Sequence, residues 1–476
     1  MNKKRQLESI LLVFTLVATS VVVFFPLTAP NVKAPPIVHK SNTADEDGVS
    51  PYDIDGLKNN IVVWNPNEDH HISDNYKVNA GYTLDIPAMG SKKITFTNND
   101  TSIIVFGRFI THNDGNEWSR TFFWGENKYN WKGIYFMSGS EGCITDCWFQ
   151  DAKTALVFLQ NSRLISPGIE QTKFDCKDYC VRISEGDPSG YWNIESCTFD
   201  DLDDSAIGMK VIMTDINLKG CLFYRHKANK FNLYISNSNV YSYQNYFYGG
   251  GQTGNLVHIE DFYGGGWRGN SNGTIFEDCN FRYGASDDYL IKVDGATPLF
   301  DNCTFDTYHC DSVVANDKYG VPAHPIILNP KCITGSFDNT SINATGGSSV
   351  TLQWFMHVNA RDPDDNPIPN APVWVEDRNR DPAQPHCKYT DENAWAEWFI
   401  VTELILYNDS ISHFSPFNVS AMNYSVWGFA DPEPTMNMTK KVYVIVPFSS
   451  IPNQPPEITW VTTPKGVQSE LVTIQY

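Results

Sequence analysis

The sequence predicts an all-β protein, a solenoid of stacked short strands followed by a small antiparallel β-domain. Three observations predict it. A six-residue segment with cysteine two places before phenylalanine recurs at nearly constant spacing. No long stretch carries the 3.6-residue apolar period that helical repeats need. From about Ser348 the recurrence stops, and strand-like runs alternate with turn clusters.

The repeat comes first. The segments ITDCWF, IEQTKF, IESCTF, LKGCLF, FEDCNF and FDNCTF end at Phe149, Phe174, Phe199, Phe223, Phe281 and Phe305, and a weaker copy, SYQNYF, ends at Phe247. The successive spacings are 25, 25, 24, 24, 34 and 24 residues, the long interval carrying a glycine-rich insertion at 264–273. A fixed period of this size is the mark of a repeat architecture. Each unit reads as an apolar-alternating strand, a polar turn and a second strand. The second strands are Val181–Ser184, Ile207–Lys210, Leu233–Ser236, Val257–Glu260 and Ile291–Asp294, apolar at the first and third positions. That period of two marks a strand with one face buried. A unit this short cannot bury that face alone, so neighbours must stack.

The recurring I-x-x-C-x-F unit resembles the right-handed parallel β-helix family that includes the pectate lyases and related surface proteins. Val78–Ile86, Ile94–Phe96 and Trp131–Phe136 resemble the opening coils of such proteins. The resemblance covers roughly residues 60–340. It implies a single-stranded right-handed parallel β-helix with coils of about 24 residues. It does not imply one activity, because this fold hosts lyases, hydrolases, adhesins and inert stalks.

Cys147, Cys197, Cys221, Cys279 and Cys303 share one repeat position and are expected to point inward with Phe149, Phe174, Phe199, Phe223, Phe281 and Phe305. Two readings stand. The thiols form a ladder of small buried apolar groups, or neighbouring coils are cross-linked, as Cys197 with Cys221 or Cys279 with Cys303. Cys143/Cys147 and Cys176/Cys180 are four apart but lack the clustered histidines of a zinc site.

The organisation before and after the repeat follows. Lys3, Lys4 and Arg5 precede an apolar run from Ile10 to Leu27. Residues 1–30 therefore read as a cleaved signal peptide or as an uncleaved membrane anchor, and either places the rest outside the cytoplasm. Residues 31–59 read as a stalk, 60–345 as the β-helix, 346–448 as a small β-sandwich, and 449–476 as a linker with the start of an incomplete Ig-like domain. Within the third of these, 358–375 followed by 390–396 resembles carboxypeptidase-regulatory-like sandwich modules, which favour Gly where Asn366 and Asn393 stand here. Nine Asn-x-Ser/Thr sites, six of them between Asn339 and Asn437, fit a glycosylated surface. The formal net charge of −20 excludes nucleic acid as a natural partner.

Stacked second strands would carry outward side chains in columns. One column reads Arg182, Gly208, Tyr234, His258, Lys292, and its neighbour Ser184, Lys210, Ser236, Glu260, Asp294. Asp178, Asp203, Asp204, Asp287 and Asp288 lie in the turns before these strands. The family resemblance implies roles. In its lyases, acidic clusters hold Ca2+ against a uronate carboxylate, and a Lys or Arg takes the neighbouring proton. On that pattern Arg182, Lys210, His258 and Lys292 are the candidate catalytic residues, Tyr234, Glu260 and Asp294 the candidate binding residues, and Asp178, Asp203 and Asp204 the candidate Ca2+ ligands. Ordinary chemistry also accounts for these groups. Mixed charges on adjacent rungs pair favourably, and aspartate is common in turns. The glycosidase option weakens because no Gly-His-Gly or comparable hydrolase signature is present. Two functions follow: a non-catalytic exported surface protein that binds glycans or partners, or an extracellular Ca2+-dependent polysaccharide lyase.

Overall fold

The computed structural model describes residues 60–447 except 91, 113–119, 130, 201–206, 227–230, 250–255, 262–270, 283–288, 307–310, 334–336, 338–339 and 409. The N-terminal leader or anchor, the stalk, Asp203, Asp204, Asp287, Asp288 and the final Ig-like strands lie outside the described residues. Among the described residues no helix is long and apolar enough to cross a membrane.

The repeat forms a parallel β-helix of about ten coils. Most coils carry three short strands, where the sequence pattern shows two; in Cys147–Phe158 and Lys173–Ser184 the second and third run on as one. In the coil that contains Cys197 the three are Asn193–Glu195, Thr198–Phe199 and Ile207–Ile212. The I-x-x-C-x-F segment is therefore two strands meeting at a corner. Ser196, between them, has φ 56°, and Asp146, Gln171, Gly220, Gln244, Asp278, Asn302 and Asn329 repeat that left-handed conformation one coil at a time. Five of these eight are Asp, Asn or Gly, the types that tolerate positive φ best. The corner amides are not left unpaired. Ser196 N donates to Lys219 O on the next coil at 2.9 Å, and Gly220 N to Tyr243 O at 3.0 Å.

Three inward ladders fill the interior. On the first face Ile144, Ile169, Ile194 and Leu218 stand over one another. On the second, Phe149, Phe174, Phe199, Phe223, Phe247, Phe281 and Phe305 stack with centroids 4.3–5.3 Å apart. Phe123 extends this stack one coil earlier, 4.7 Å from Phe149 and nearly coplanar with it. Its segment, Thr121–Gly125, lacks the Cys-x-Phe pattern and escapes the repeat. The third face buries Val181, Met209, Leu233, Val257 and Ile291 in register. Each fully buried ring or branched side chain contributes roughly 2–3 kcal/mol, and the ring stacking adds about 1 kcal/mol per pair.

The cysteine ladder is made of free thiols. Each thiol donates inside the corner: Cys197 Sγ to Glu195 O at 3.3 Å, Cys221 Sγ to Lys219 O at 3.5 Å, Cys303 Sγ to Asp301 O at 3.4 Å. In the coil of Phe247 the same position holds Asn245, whose side chain accepts from Cys221 N at 2.7 Å. A small polar donor or acceptor is what the corner needs, and Cys supplies it with little polar surface.

The last rung of the helix begins the C-terminal region. Strand Ser349–Arg361 pairs in parallel with Ile326–Leu328 through Thr351, Leu352 and Gln353, then continues among antiparallel strands. The neighbours that follow from Trp395–Tyr407 are Ser349–Arg361, Lys440–Ile445, Val426–Phe429, Asn418–Asn423, Pro372–Glu376 and Pro382–Tyr389. A single pairing, Gln384 with Ile400, returns the order to its start. Trp354, Met356, Val373, Val375, Phe399, Val401, Val419, Val442 and Val444 fill the interior.

Candidate functional site

The outward side chains of the third face form two columns, and the register decides their members. Arg182 pairs with Lys210, Lys210 with Tyr234, Tyr234 with His258, and His258 with Lys292. The neighbouring column is Ser184, Ile212, Ser236, Glu260, Asp294 and Asn316. This corrects the sequence-based columns, which placed Gly208 beside Arg182 and Lys210 beside Ser184. From Ile183 to its partner Val211 the coil is 28 residues long, four more than the 24 from Val211 to Ile235. The strand therefore enters its rung two residues later than the sequence-based columns placed it, with Met209 and not Ile207 beside Val181. The shift is even, so Lys210 still faces outward, but it now stands between Arg182 and Tyr234. All four residues assigned to catalysis share one column with Tyr234. Gly208 sits instead where a Cβ would lie 2.6 Å from Asn232 O and 2.9 Å from the Phe223 ring.

At the upper end the two columns interlock. His258 Nε2 lies 2.8 Å from Asp294 Oδ2 and 3.8 Å from Glu260 Oε2. Lys292 Nζ is 3.0 Å from Asp294 Oδ2, and Asn316 Nδ2 donates to Asp294 Oδ1 at 2.9 Å. Glu260 accepts from the Tyr234 hydroxyl and from Lys318 Nζ. The centre of this network is sequestered: His258, Glu260 and Asp294 are all buried. Burial by itself would raise both carboxyls. Hydrogen bonds from Lys318 and Tyr234 outweigh it and hold Glu260 below its ordinary value. Those from His258, Asn316 and Lys292 hold Asp294 well below the carboxylate range. Tyr234 moves the opposite way. Burial and its bond to Glu260 push the phenol well above its usual value.

The lower end of the column is more open. Lys210 Nζ stands 4.7 Å from the Tyr234 ring and 6.0 Å from that of Tyr179. Arg182 lies 5.9 Å from the Tyr179 ring, and its Nε donates to Ser184 Oγ at 3.4 Å. Among the described residues Arg182 has no carboxylate within ion-pair distance. The face thus carries two cations and two tyrosines at one end and a closed charge network at the other. Asp178 lies within strand Lys173–Ser184, not in a turn before it.

No protein-family model matches the chain. No curated protein matches it in sequence. Among solved structures, tailspike protein 3 of bacteriophage CBA120 aligns with 71% of this chain at 10% identity and a TM-score of 0.23. The chain covers 62% of that protein, less than two thirds of its length. A match at this level says nothing about function.

Two of the three candidate Ca2+ ligands, Asp203 and Asp204, lie outside the described residues, and the group that the described residues do bring together suits Ca2+ poorly. His258, Glu260 and Asp294 are the one group of three side chains whose donor atoms come together, all within 4.8 Å. An imidazole is not a calcium ligand, since this ion takes six to eight oxygens. Lys318 and Lys292 already neutralise the two carboxylates. Lys318, Asn316 and the ring of Phe231, 4.6 Å from His258, were not legible as site residues. One signal was available. Val313–Asn316 continues the second-strand alternation one coil beyond Asp294.

Proposed function

We propose that this chain is an exported surface protein that binds an acidic polysaccharide along the third face of its β-helix and does not degrade it. The observation that carries the reading is the alignment of Arg182, Lys210 and Tyr234 on consecutive rungs. Parallel strands are about 4.8 Å apart, so charged and aromatic groups repeat at nearly the length of one sugar. The closed network above them argues for binding over turnover. Glu260 and Asp294 are both held ionised, so neither can serve as a general acid. Tyr234 is harder to ionise than free tyrosine, so the phenolate that would act as a base is scarcer. On this reading residues 1–30 export or anchor the chain, the Asn-x-Ser/Thr sites carry glycans, and the stalk at 31–59 projects the helix and the carboxypeptidase-regulatory-like region from the cell.

The hydrogen bond of His258 to Asp294, with Lys292 beside it, favours a second reading, the polysaccharide lyase. One experiment separates the two. The chain is incubated with polyuronates and neutral polysaccharides, with calcium or with chelator, and unsaturated ends are followed by ultraviolet absorbance while binding is measured in parallel. Binding of polyuronate without unsaturated product supports the first reading. Calcium-dependent product that disappears in Lys292→Ala establishes the second. Neither binding nor product rejects both.

A further inference from the structure

We infer that the outer surface of the C-terminal strands is a separate saccharide-binding platform, one that takes an uncharged polysaccharide laid across the strands. It does not rest on the reading of the charged columns.

The platform is a row that crosses six neighbouring strands, four of which give it aromatic side chains. Trp395 stands opposite Asn359, and Asn359 opposite Tyr443. Two residues further along, Ile445 stands opposite Phe429, Phe429 opposite Ser420, and Ser420 opposite Trp374. The rings meet along this line. Trp395 lies 5.8 Å from Tyr443, Trp427 lies 6.5 Å from Phe429 with planes 20° apart, and Trp374 lies 4.8 Å from Trp427. Five strand-to-strand steps make the row about 24 Å long, enough for a short stretch of extended glycan.

These rings are not core residues that happen to be uncovered. In Lys440–Ile445 the alternation is strict: Val442 and Val444 face the interior while Tyr443 is 54% exposed and Ile445 47%. On Val426–Phe429, Gly428 is buried between Trp427 at 45% and Phe429 at 56% exposure. On these two strands the largest side chains stand on the wet side, and an exposed apolar surface of this kind marks a binding surface.

Its chemistry selects the occupant. The row is aromatic, with Ile445 its one aliphatic member. A sugar ring has a flat C–H face and a rim of hydroxyls. It packs its face on an aromatic ring by dispersion and leaves its hydroxyls in water. The charge pattern selects an uncharged sugar. Both signs of charge flank the row: Lys441 Nζ sits 5.1 Å from the Trp395 ring, Lys388 Nζ donates to the carbonyls of Glu397 and Trp398, and Arg361 pairs with Asp365 at 3.0 Å. Glu376, beside Trp374, is likewise paired, 3.6 Å from Arg380. With a net charge of −20 on the chain and charges of both signs flanking the row, a polyanion would meet net repulsion here.

The test titrates the full chain with cellohexaose, xylohexaose and mannohexaose, following heat and tryptophan emission. At least one hexasaccharide is expected to bind and to change the emission. Trp427→Ala/Phe429→Ala should weaken it by about tenfold or more, and Tyr443→Ser, on a different strand, by a few-fold. Both variants should melt at nearly the parent temperature, because the side chains are half exposed. Lys210→Ala should leave this binding unchanged while it weakens polyuronate binding, so failure here and failure of the charged-column reading are distinguishable. The inference is overturned if no hexasaccharide binds, if the aromatic variants bind like the parent, or if light scattering shows that the row instead joins two copies of the chain.

Discussion

The β-helix and the C-terminal strands use the same residue types in opposite directions. In the helix, phenylalanine points inward and stacks from Phe123 to Phe305, while charge is placed outside in registered columns. In the C-terminal strands the interior is mostly small and aliphatic, and Trp427, Phe429 and Tyr443 point out. A coil of the helix is thin and must be filled by ladders of identical shape, since each residue packs chiefly on its own equivalents above and below. The C-terminal strands close on an interior that is mostly aliphatic, with Trp354 and Phe399 among it, and this leaves other large aromatics for the surface. Aromatic content alone therefore does not distinguish a core from a recognition surface; direction relative to the strand does.

The contrast makes measurable claims. Phe199→Ala removes one ring from the middle of the stack, and about 4 kcal/mol of unfolding free energy should be lost. Trp427→Ala should change it by less than about 0.5 kcal/mol. Denaturant titration of both variants checks this. Equal losses would mean that the outward ring is structural and would end the comparison.

The charged end of the columns should matter almost as much as a core ring. Asp294→Ala strands His258, Lys292 and Asn316 without their common partner, and the loss should be about 3 kcal/mol. Its pH dependence has a definite sign. Folding holds the Glu260 and Asp294 carboxyls below their unfolded values. Their stabilisation is thus fully present above the unfolded carboxylate pKa, about 4, and is lost as pH falls below it towards the folded values. Melting curves from pH 6 to pH 2.5 should show a steep acid decline that is shallower in Glu260→Gln. Equal slopes would show that the network is not what acid disrupts.

A smaller effect is expected at the open end. Lys210→Ala should weaken polyuronate binding by about tenfold and flatten its salt dependence, with the fold unaltered. Affinity measured at two salt concentrations decides it. The smallest effect belongs to the corners. Gly220→Ala should cost about 1 kcal/mol, because φ is 59° while the nearest atom to a new Cβ, Ser196 Oγ, is 3.8 Å away. A loss of several kcal/mol in thermal unfolding would show that space, not backbone conformation, restricts that position.

Much of this protein was legible before any coordinates. The 24-residue recurrence implied stacked coils, and Cys197, Cys221, Phe199 and Phe223 are buried in ladders as their shared position required. The two-residue alternation in Val257–Glu260 and Ile291–Asp294 identified the outward groups His258, Glu260, Lys292 and Asp294. Periodicity is a local property, so sequence carries it in full. What the chain order does not carry is the register between coils of unequal length. The longer coil before Met209 moved Lys210 into the column of Arg182, and only the paired backbones reveal it. The corner at Ser196 was hidden for a related reason, since a single left-handed residue turns a strand without interrupting the side-chain pattern. Lys318 reaches Glu260 from 58 residues away in sequence, and the aromatic row gathers Trp395, Tyr443, Phe429 and Trp374 from four separate strands. Contacts of that kind depend on strand pairing across the whole fold, and pairing is decided by packing, not by spacing along the chain.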